Sequence, residues 1–335
     1  MFLEYVSTGA EENQALKFFC NEISNKKNPL VTLKKLCGGL RPSRTRVEIN
    51  EKLVKVIFKL SEQGILRLLN GETFHIIEKK GYKNYGDIRT SYQILNSEGY
   101  QVQRPFTLFD RFVLSACISE WLEGNSYTTP AVIYRALTGK VDKGCDAKPS
   151  KDQLAAILDS IKILMCRIIK YNAKDLGEVM NYNDGTAFSL NGPFLPAVYF
   201  DASEESDADA IAIFFLVDPP LLHLAQIKRQ LISYDSRLLD IPRQQNTPMN
   251  IELKNYCLLR VREICAHKQL TPTITFHDVF KTARIENSNG KTKFHAREFI
   301  KILFDHLQKK HVIGAFEIVK NNRGFHSIQF DRPKK

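Results

Sequence analysis

The C-terminal part of the chain begins with the run Ile251-Glu-Leu-Lys-Asn-Tyr-Cys-Leu-Leu-Arg-Val-Arg-Glu-Ile-Cys265. Apolar residues recur in this run at helical spacing, which predicts one amphipathic helix. A second, shorter helix is predicted from Thr275 to Arg284, with Thr275 as its N-cap. A polar turn, Asn287-Ser-Asn-Gly290, separates it from a third helix, predicted from about Lys293 to Lys310. The apolar residues of that third helix are Phe294, Phe299, Ile300, Leu303, Phe304 and Leu307.

A β-hairpin is predicted to follow the third helix. The run His311-Val-Ile-Gly-Ala-Phe-Glu-Ile-Val319 alternates up to a turn at Asn321-Asn-Arg-Gly324, and Phe325-His-Ser-Ile-Gln-Phe330 alternates back. Three helices followed by a two-stranded hairpin are typical of a winged helix. This variant of the helix-turn-helix can place its third helix in the DNA major groove and its hairpin against the backbone.

The candidate DNA-binding residues are mostly basic and fall in four places. At or near the N-terminal half of the third helix, the part of a recognition helix that reaches base edges, are Lys291, Lys293, His295, Arg297 and Lys301. The hairpin turn contributes Asn321, Asn322 and Arg323, a basic loop and the helix after it contribute Lys148 and Lys151, and an arginine-rich linker contributes Arg44 and Arg46. Each of these residues is also compatible with an ordinary solvated surface position.

The net charge of +11 is unevenly distributed along the chain. Residues 1–105 carry 17 Lys and Arg against 11 Asp and Glu, residues 106–240 carry 13 against 18, and residues 241–335 carry 18 against 8. Basic ends around an acidic middle suggest that the ends meet phosphate and that the middle meets protein. Binding through phosphate contacts would be steeply salt-dependent.

The pattern of helices followed by a hairpin occurs earlier in the chain as well. Residues 1–80 are predicted to form a small winged-helix-like unit, with helices at about 11–25, 31–37 and 50–63. Its hairpin would join Ile65–Leu69 to Thr73–Ile77 through Asn70-Gly71, a dipeptide that favours tight hairpin turns. Residues 81–105 are polar and rich in tyrosine, and we interpret them as a linker or a docking strap.

Residues 106–240 are predicted to form a central winged-helix domain, and residues 241–335 the C-terminal one. In the central domain, Thr107 would cap a helix ending at Leu122, a second helix would start at Pro130, and Ser150 would cap a third. Strands are expected from Met165 and at about 188–190, 197–200 and 210–217. The predicted fold class is therefore α+β, with tandem winged-helix domains.

Several other classes of protein do not fit the sequence. The chain has no signal-peptide pattern and no apolar run long enough for a membrane span, so we expect a cytoplasmic protein. Its seven cysteines form no Cys-x-x-Cys pair, which favours free thiols over metal ligands or disulfides. The sequence Asn289-Gly-Lys-Thr292 resembles the end of a phosphate-binding loop, but Ile285 stands where the first glycine is needed. With no hydrolase, metalloprotease or relaxase motif either, we expect no enzymatic activity and no cofactor.

The segment after residue 210 resembles the Rep-type replication initiators of iteron-bearing plasmids, which contain tandem winged helices. The resemblance rests on Ala210-Ile-Ala-Ile-Phe-Phe-Leu-Val217, then Asp218-Pro-Pro-Leu-Leu-His-Leu-Ala225, then Gln230-Leu-Ile-Ser-Tyr-Asp-Ser-Arg-Leu-Leu-Asp240, which leads into the C-terminal unit. The helix from Phe106 to Trp121 and the final hairpin are similar too. The resemblance covers about residues 106–331 and is one of order and pattern. The residues before it have no counterpart in that family.

This resemblance implies a protein that binds repeated sites at a replication origin, helps to open the duplex and recruits host replication proteins such as a helicase or initiator. It implies that residues around Lys293 to Lys301 read bases and that Arg323 and its neighbours contact phosphate. It also implies that the central domain contributes contacts to the DNA backbone and forms a homodimer. Two alternatives stay open: a winged-helix transcriptional regulator, and an assembly factor that uses winged helices to dock proteins. Direct repeats beside an AT-rich segment would favour an initiator, whereas a single palindrome would favour a regulator.

Overall fold

The computed structural model of the protein describes residues 39–49, 73–82, 86–93, 106–142, 147–173, 188–201, 211–227, 229–321 and 324–333. The chain divides into two compact units. The first contains Met1–Pro42, Ile49–Tyr134 and Lys148–Leu231, and the second contains Ser43–Glu48, Arg135–Ala147 and Ile232–Lys335. The three helices predicted before residue 64 and the Asn70-Gly71 turn lie outside the described residues.

The described elements are helices and short antiparallel sheets, so the predicted α+β class is confirmed. The helices are α1 (Leu108–Leu122), α2 (Pro130–Thr138), α3 (Lys151–Cys166), α4 (Pro220–Ile227), α5 (Pro248–Ala266), α6 (Phe276–Thr282) and α7 (Gly290–Lys309). The strands are β1 (Thr45–Ile49), β2 (Thr73–Tyr82), β3 (Gly86–Gln93), β4 (Tyr127–Thr128), β5 (Arg167–Ala173), β6 (Phe188–Pro193), β7 (Ala197–Asp201), β8 (Ile211–Phe215), β9 (Leu231–Asp235), β10 (Thr273–Thr275), β11 (Phe316–Asn321) and β12 (Gly324–Phe330).

The first unit is built around α1, whose residues from Phe109 to Glu120 are all buried. Thr107 begins this helix, as predicted, through a capping box. Its hydroxyl accepts from the amide of Asp110 at 3.2 Å, and the Asp110 carboxylate accepts from the amide of Thr107 at 2.7 Å. Ser150 and Gln153 form the same reciprocal pair at the start of α3. α3 packs against α1.

Within its described residues, the first unit contains two antiparallel sheets, with strand orders β2-β3-β5-β6 and β4-β8-β7. The first sheet contains a strand that the sequence does not predict, because β2 pairs with β3 and β3 pairs in turn with β5. Strand β3 lies inside residues 81–105, which the sequence predicts to be a linker or a docking strap, and the structure shows that Gly86–Gln93 of this segment form a paired strand. The alternation that ends at Ile77 in the sequence continues as strand to Tyr82.

The second unit contains the C-terminal helices α5, α6 and α7 and the sheet β10-β12-β11. Thr247 caps α5, with Pro248 in its first turn, and Thr275 caps α6 as predicted. The predicted hairpin is present, with Ile318 and Ile274 on either side of Ile328. Its first strand begins later than predicted, because Val312 and Ile313 turn into the core after α7. Strand β10 is not predicted by the sequence pattern.

A buried lysine holds the first residues of α5 against the segments that precede it in the second unit. Lys254 is 1% exposed. Its ammonium donates to the carbonyl oxygens of Thr138 and Leu239, at 3.2 and 2.9 Å, and to the side chain of Asn246 at 2.7 Å. The backbone of Gly139 lies so close to Leu239 and its neighbours that a Cβ atom there would meet them at 2.7 Å or less. This close approach requires glycine.

Candidate nucleic-acid interface

Helix α7, predicted to be the DNA-reading helix, begins at Gly290 under an asparagine cap. The side chain of Asn289 accepts from the amide of Thr292 at 2.9 Å. The first turn contains Lys291 and no acidic residue, so the positive end of the helix dipole is not offset by a carboxylate there. The helix therefore starts earlier than the sequence predicted and includes Lys291 in its first turn.

One face of α7 is anchored in the core of the second unit. Its buried residues are Ala296, Phe299, Ile300, Leu303, Phe304, His306 and Leu307. The ring of Phe304 lies 5.6 Å from that of Phe316 on β11 and 5.9 Å from that of Phe330 on β12. These aromatic contacts join the helix to both strands of the hairpin. A fixed helix position is what base-edge recognition requires.

The opposite face of α7 is exposed and carries three of the predicted residues. Lys291, His295 and Lys301 are exposed, and Lys293 is half-buried. Lys291 and His295 are four residues apart and so lie one turn apart on the same face. The N-terminal half of α7 therefore presents positive charge on the side that faces away from the core.

Arg297 has a different environment from the other basic residues of α7. It is half-buried, and its guanidinium carbon lies 5.8 Å from the centre of the Phe280 ring on α6. A guanidinium over an aromatic face gains a cation–π interaction. Arg297 thus contributes to the packing of α6 against α7. Its predicted role in base reading stays a prediction.

Two further side chains on the exposed face of α7 were not among the predicted site residues. Phe294, which the sequence analysis grouped with the apolar face, is 53% exposed. Glu298, four residues further along, is also exposed. The sequence contains a signal for this outcome, because the positions three, four and seven residues after Phe294 are the polar Arg297, Glu298 and Lys301. A core residue of a helix would have apolar partners at that spacing.

The predicted contacts in the hairpin turn are described only in part. Asn321 is the last residue of β11, and Asn322 and Arg323 lie outside the described residues. The strand pairing shifts register between Val319 and Lys320, and Gly324 has a φ angle of +104°. A positive φ here suits glycine in a tight turn. The phosphate-binding role of the turn stays a prediction.

The two predicted arginines of the linker have opposite environments. Arg46 is completely buried on β1, where its Nε donates to the Glu48 carboxylate at 2.8 Å, and Glu48 also accepts from the Tyr234 hydroxyl at 3.3 Å. A side chain with no exposed surface has no access to a phosphate, so the placement of Arg46 in the DNA site is wrong. Arg44 is exposed and lies 3.9 Å from the carboxylate of Asp142.

Lys148 and Lys151 belong to the first unit. Both are exposed, and Lys151 is the first residue of α3. Their predicted role in DNA binding stays a prediction.

Among the helices of the described residues, none is long and apolar enough to span a membrane.

No protein-family model matches the chain, and no curated protein matches it either. The chain is similar to two crystal structures of RctB. One, of selenomethionine derivatives of domain 2 and domain 3, has 11% sequence identity and a TM-score of 0.40, and covers 86% of this chain and 100% of that one. The other, of the domain 2–3 fragment RctB-155-483, has 13% identity and a TM-score of 0.41, and covers 82% and 96%. Similarity at this level supports no argument about function.

Proposed function

We propose that the protein binds double-stranded DNA through the exposed face of α7, with the second unit acting as a winged helix. In this proposal α7 lies in the major groove, and the β11–β12 hairpin lies against the sugar-phosphate backbone. We further propose that the protein initiates replication of a plasmid or mobile element. It would bind repeated sites at the origin and recruit host replication proteins.

The observation that carries the proposal is the division of α7 into two faces. Apolar side chains on one face fix the helix on the core and the hairpin, while Lys291, His295 and Lys301 lie on the exposed face. Lysine and histidine side chains in the N-terminal half of such a helix suit both phosphate contacts and contacts to base edges. The excess of basic residues between 241 and 335 is consistent with a polyanionic ligand.

The replication role rests on the sequence resemblance of residues 106–331 to plasmid initiators. An initiator of that kind binds several copies of one site, whereas a dimeric regulator binds one palindrome whose symmetry mirrors its own. The arrangement of sites on DNA therefore distinguishes the two functions. Homodimerisation through residues 106–240 is part of the proposal and predicts a twofold mass in solution.

The test is binding of the purified full chain to duplex fragments that tile its own gene and the flanking DNA, followed by footprinting. We expect protection of several direct repeats beside an AT-rich segment. Binding measured between about 50 and 200 mM salt should weaken steeply, because each phosphate contact releases counterions. Lys291→Ala should weaken binding, whereas Lys268→Ala, which removes an exposed lysine outside α7, should have little effect.

Other results would contradict the proposal in recognisable ways. A single protected palindrome would indicate a DNA-binding regulator and not an initiator. Equal affinity of the Lys291→Ala and Lys268→Ala proteins for DNA would indicate that α7 is not part of the interface. Binding without any footprint that disappears with salt would point to non-specific charge and to a protein-docking role.

A further inference from the structure

Phe294 is a large apolar side chain exposed in the middle of a charged surface. It is 53% exposed, and the other large apolar residues exposed in the described part of the chain, Leu122 and Val217, belong to the first unit. Leaving an aromatic ring in water forgoes the free energy that its burial would contribute. Single apolar residues are common on protein surfaces, so the side chains around Phe294 decide whether the ring belongs to a binding surface.

The surroundings of Phe294 indicate the chemistry of that partner. Lys291 lies one turn before it and Lys301 two turns after it on the exposed face, and the His295 ring lies 5.8 Å away. A surface that docks protein would place several apolar side chains together. One ring among cationic side chains instead suits a polyanion that offers a small apolar group, which describes the major groove of DNA.

Glu298 indicates which part of the DNA this face meets. It is exposed four residues after Phe294, so the two side chains are neighbours on the helix surface. A carboxylate facing the backbone would be repelled by phosphate. Facing a base edge, it can accept a hydrogen bond from the amino group of cytosine. Phe294 and Glu298 therefore suit contacts to base edges better than contacts to the phosphate backbone.

We propose that Phe294 reads a thymine, by packing its ring against the C5-methyl group in the major groove. This rests on the proposed function, in which α7 enters that groove. The thymine methyl is the apolar group that base pairs expose there, and phenylalanine is a side chain that contacts it. Phe294 is then a specificity-determining residue, while the lysines around it supply affinity that does not depend on sequence.

The test removes the methyl group from the DNA and the ring from the protein. The full chain selects duplexes from a random-sequence pool, and each thymine of the selected site is then replaced singly by deoxyuridine, which lacks only the C5-methyl. At one or two positions the wild-type protein should lose about fourfold in affinity, the equivalent of about 0.8 kcal/mol for one buried methyl group. Phe294→Ala should bind the thymine and deoxyuridine duplexes equally well.

Controls separate this effect from a loss of folding. Leu122→Ala, which truncates an exposed apolar residue of the first unit, should keep the wild-type preference for thymine. Phe294→Leu should keep part of it, because leucine still offers an apolar surface. Circular dichroism and thermal unfolding of each variant should match the wild type, since Phe294 is not part of the core.

The outcomes distinguish this inference from the proposed function. If the wild-type protein selects a site but tolerates deoxyuridine at every position, the thymine contact is overturned and DNA binding stands. The inference also fails if Phe294→Ala retains the wild-type preference for thymine. If the wild-type protein selects no duplex at all, the proposed function fails first, and the inference fails with it.

Discussion

Lys254 should make the stability of the second unit depend on pH in the range where most lysines have no effect. Burial lowers the pKa of this lysine from the usual 10.5 to about 7, while the carboxylate of Asp240 acts in the opposite direction and the ammonium of Lys140 acts with burial. Between about pH 7 and 10.5, Lys254 is therefore mostly protonated in the unfolded chain and mostly neutral in the folded chain. In that window the free energy of unfolding rises as pH rises.

The size of the effect follows from the pKa difference. A difference of about 3.5 pH units corresponds to roughly 5 kcal/mol at full range, since each unit is worth about 1.4 kcal/mol. From pH 7 to pH 9, the free energy of unfolding of the wild-type protein should rise by about 2 kcal/mol relative to that of Lys254→Met. This variant removes the titrating group and keeps a side chain of similar length. Lys301→Met, which removes an exposed lysine, should behave as the wild type does.

Urea unfolding followed by a short pulse of iodoacetamide measures this effect in the second unit. Cys257 lies one turn after Lys254 on α5, is completely buried, and has its thiol pKa raised by burial to about 12. It should react only when α5 unfolds, and peptide mapping separates it from the other cysteines. If the difference between wild type and Lys254→Met is constant from pH 7 to 9, the reasoning is refuted. The three hydrogen bonds of the ammonium would then keep it protonated.

Three further predictions concern the second unit. Arg46→Met should lower the free energy of unfolding by about 3–5 kcal/mol in urea denaturation, because it leaves Glu48 buried without its cation, and adding Glu48→Leu should recover most of the loss. Burial lowers the pKa of His306, so the stability of the wild type relative to His306→Gln should fall as pH drops below about 6.5. Lys291→Ala should reduce the slope of log affinity against log salt concentration by about 1 and leave the melting temperature unchanged. Arg297→Ala should lower the melting temperature, because the contact of Arg297 with Phe280 on α6 is lost.

The features that the sequence predicted correctly are those fixed by a few neighbouring residues. The caps at Thr107, Ser150 and Thr275 each depend on a hydrogen bond to a residue three positions away. The C-terminal helices and hairpin follow from apolar periodicity within single elements. These local preferences agree with the final fold, so the sequence of each element predicts it.

The features that the sequence did not predict depend on residues far apart in the chain. Arg46 looked like part of a basic linker, but β1 pairs with β9, which brings Tyr234 to the carboxylate that holds the arginine. Strand β3 was hidden in a polar, tyrosine-rich segment because its pairing with β5 spans a long sequence separation. The sequence of β5 predicts a strand, but it does not identify β3 as the neighbour of that strand.

The net charge of a segment does not show which of its basic residues are exposed, and only exposed ones can contact DNA. Of the basic residues between 241 and 335, Lys254 is buried, Arg260 pairs with Glu263, and the Arg332 guanidinium donates to backbone carbonyls that include that of Ile264 on α5. These cations stabilise the second unit and are not available to phosphate. The net charge therefore overstates the number of phosphate contacts, and the salt dependence of DNA binding should instead reflect exposed lysines such as Lys291 and Lys301 of α7.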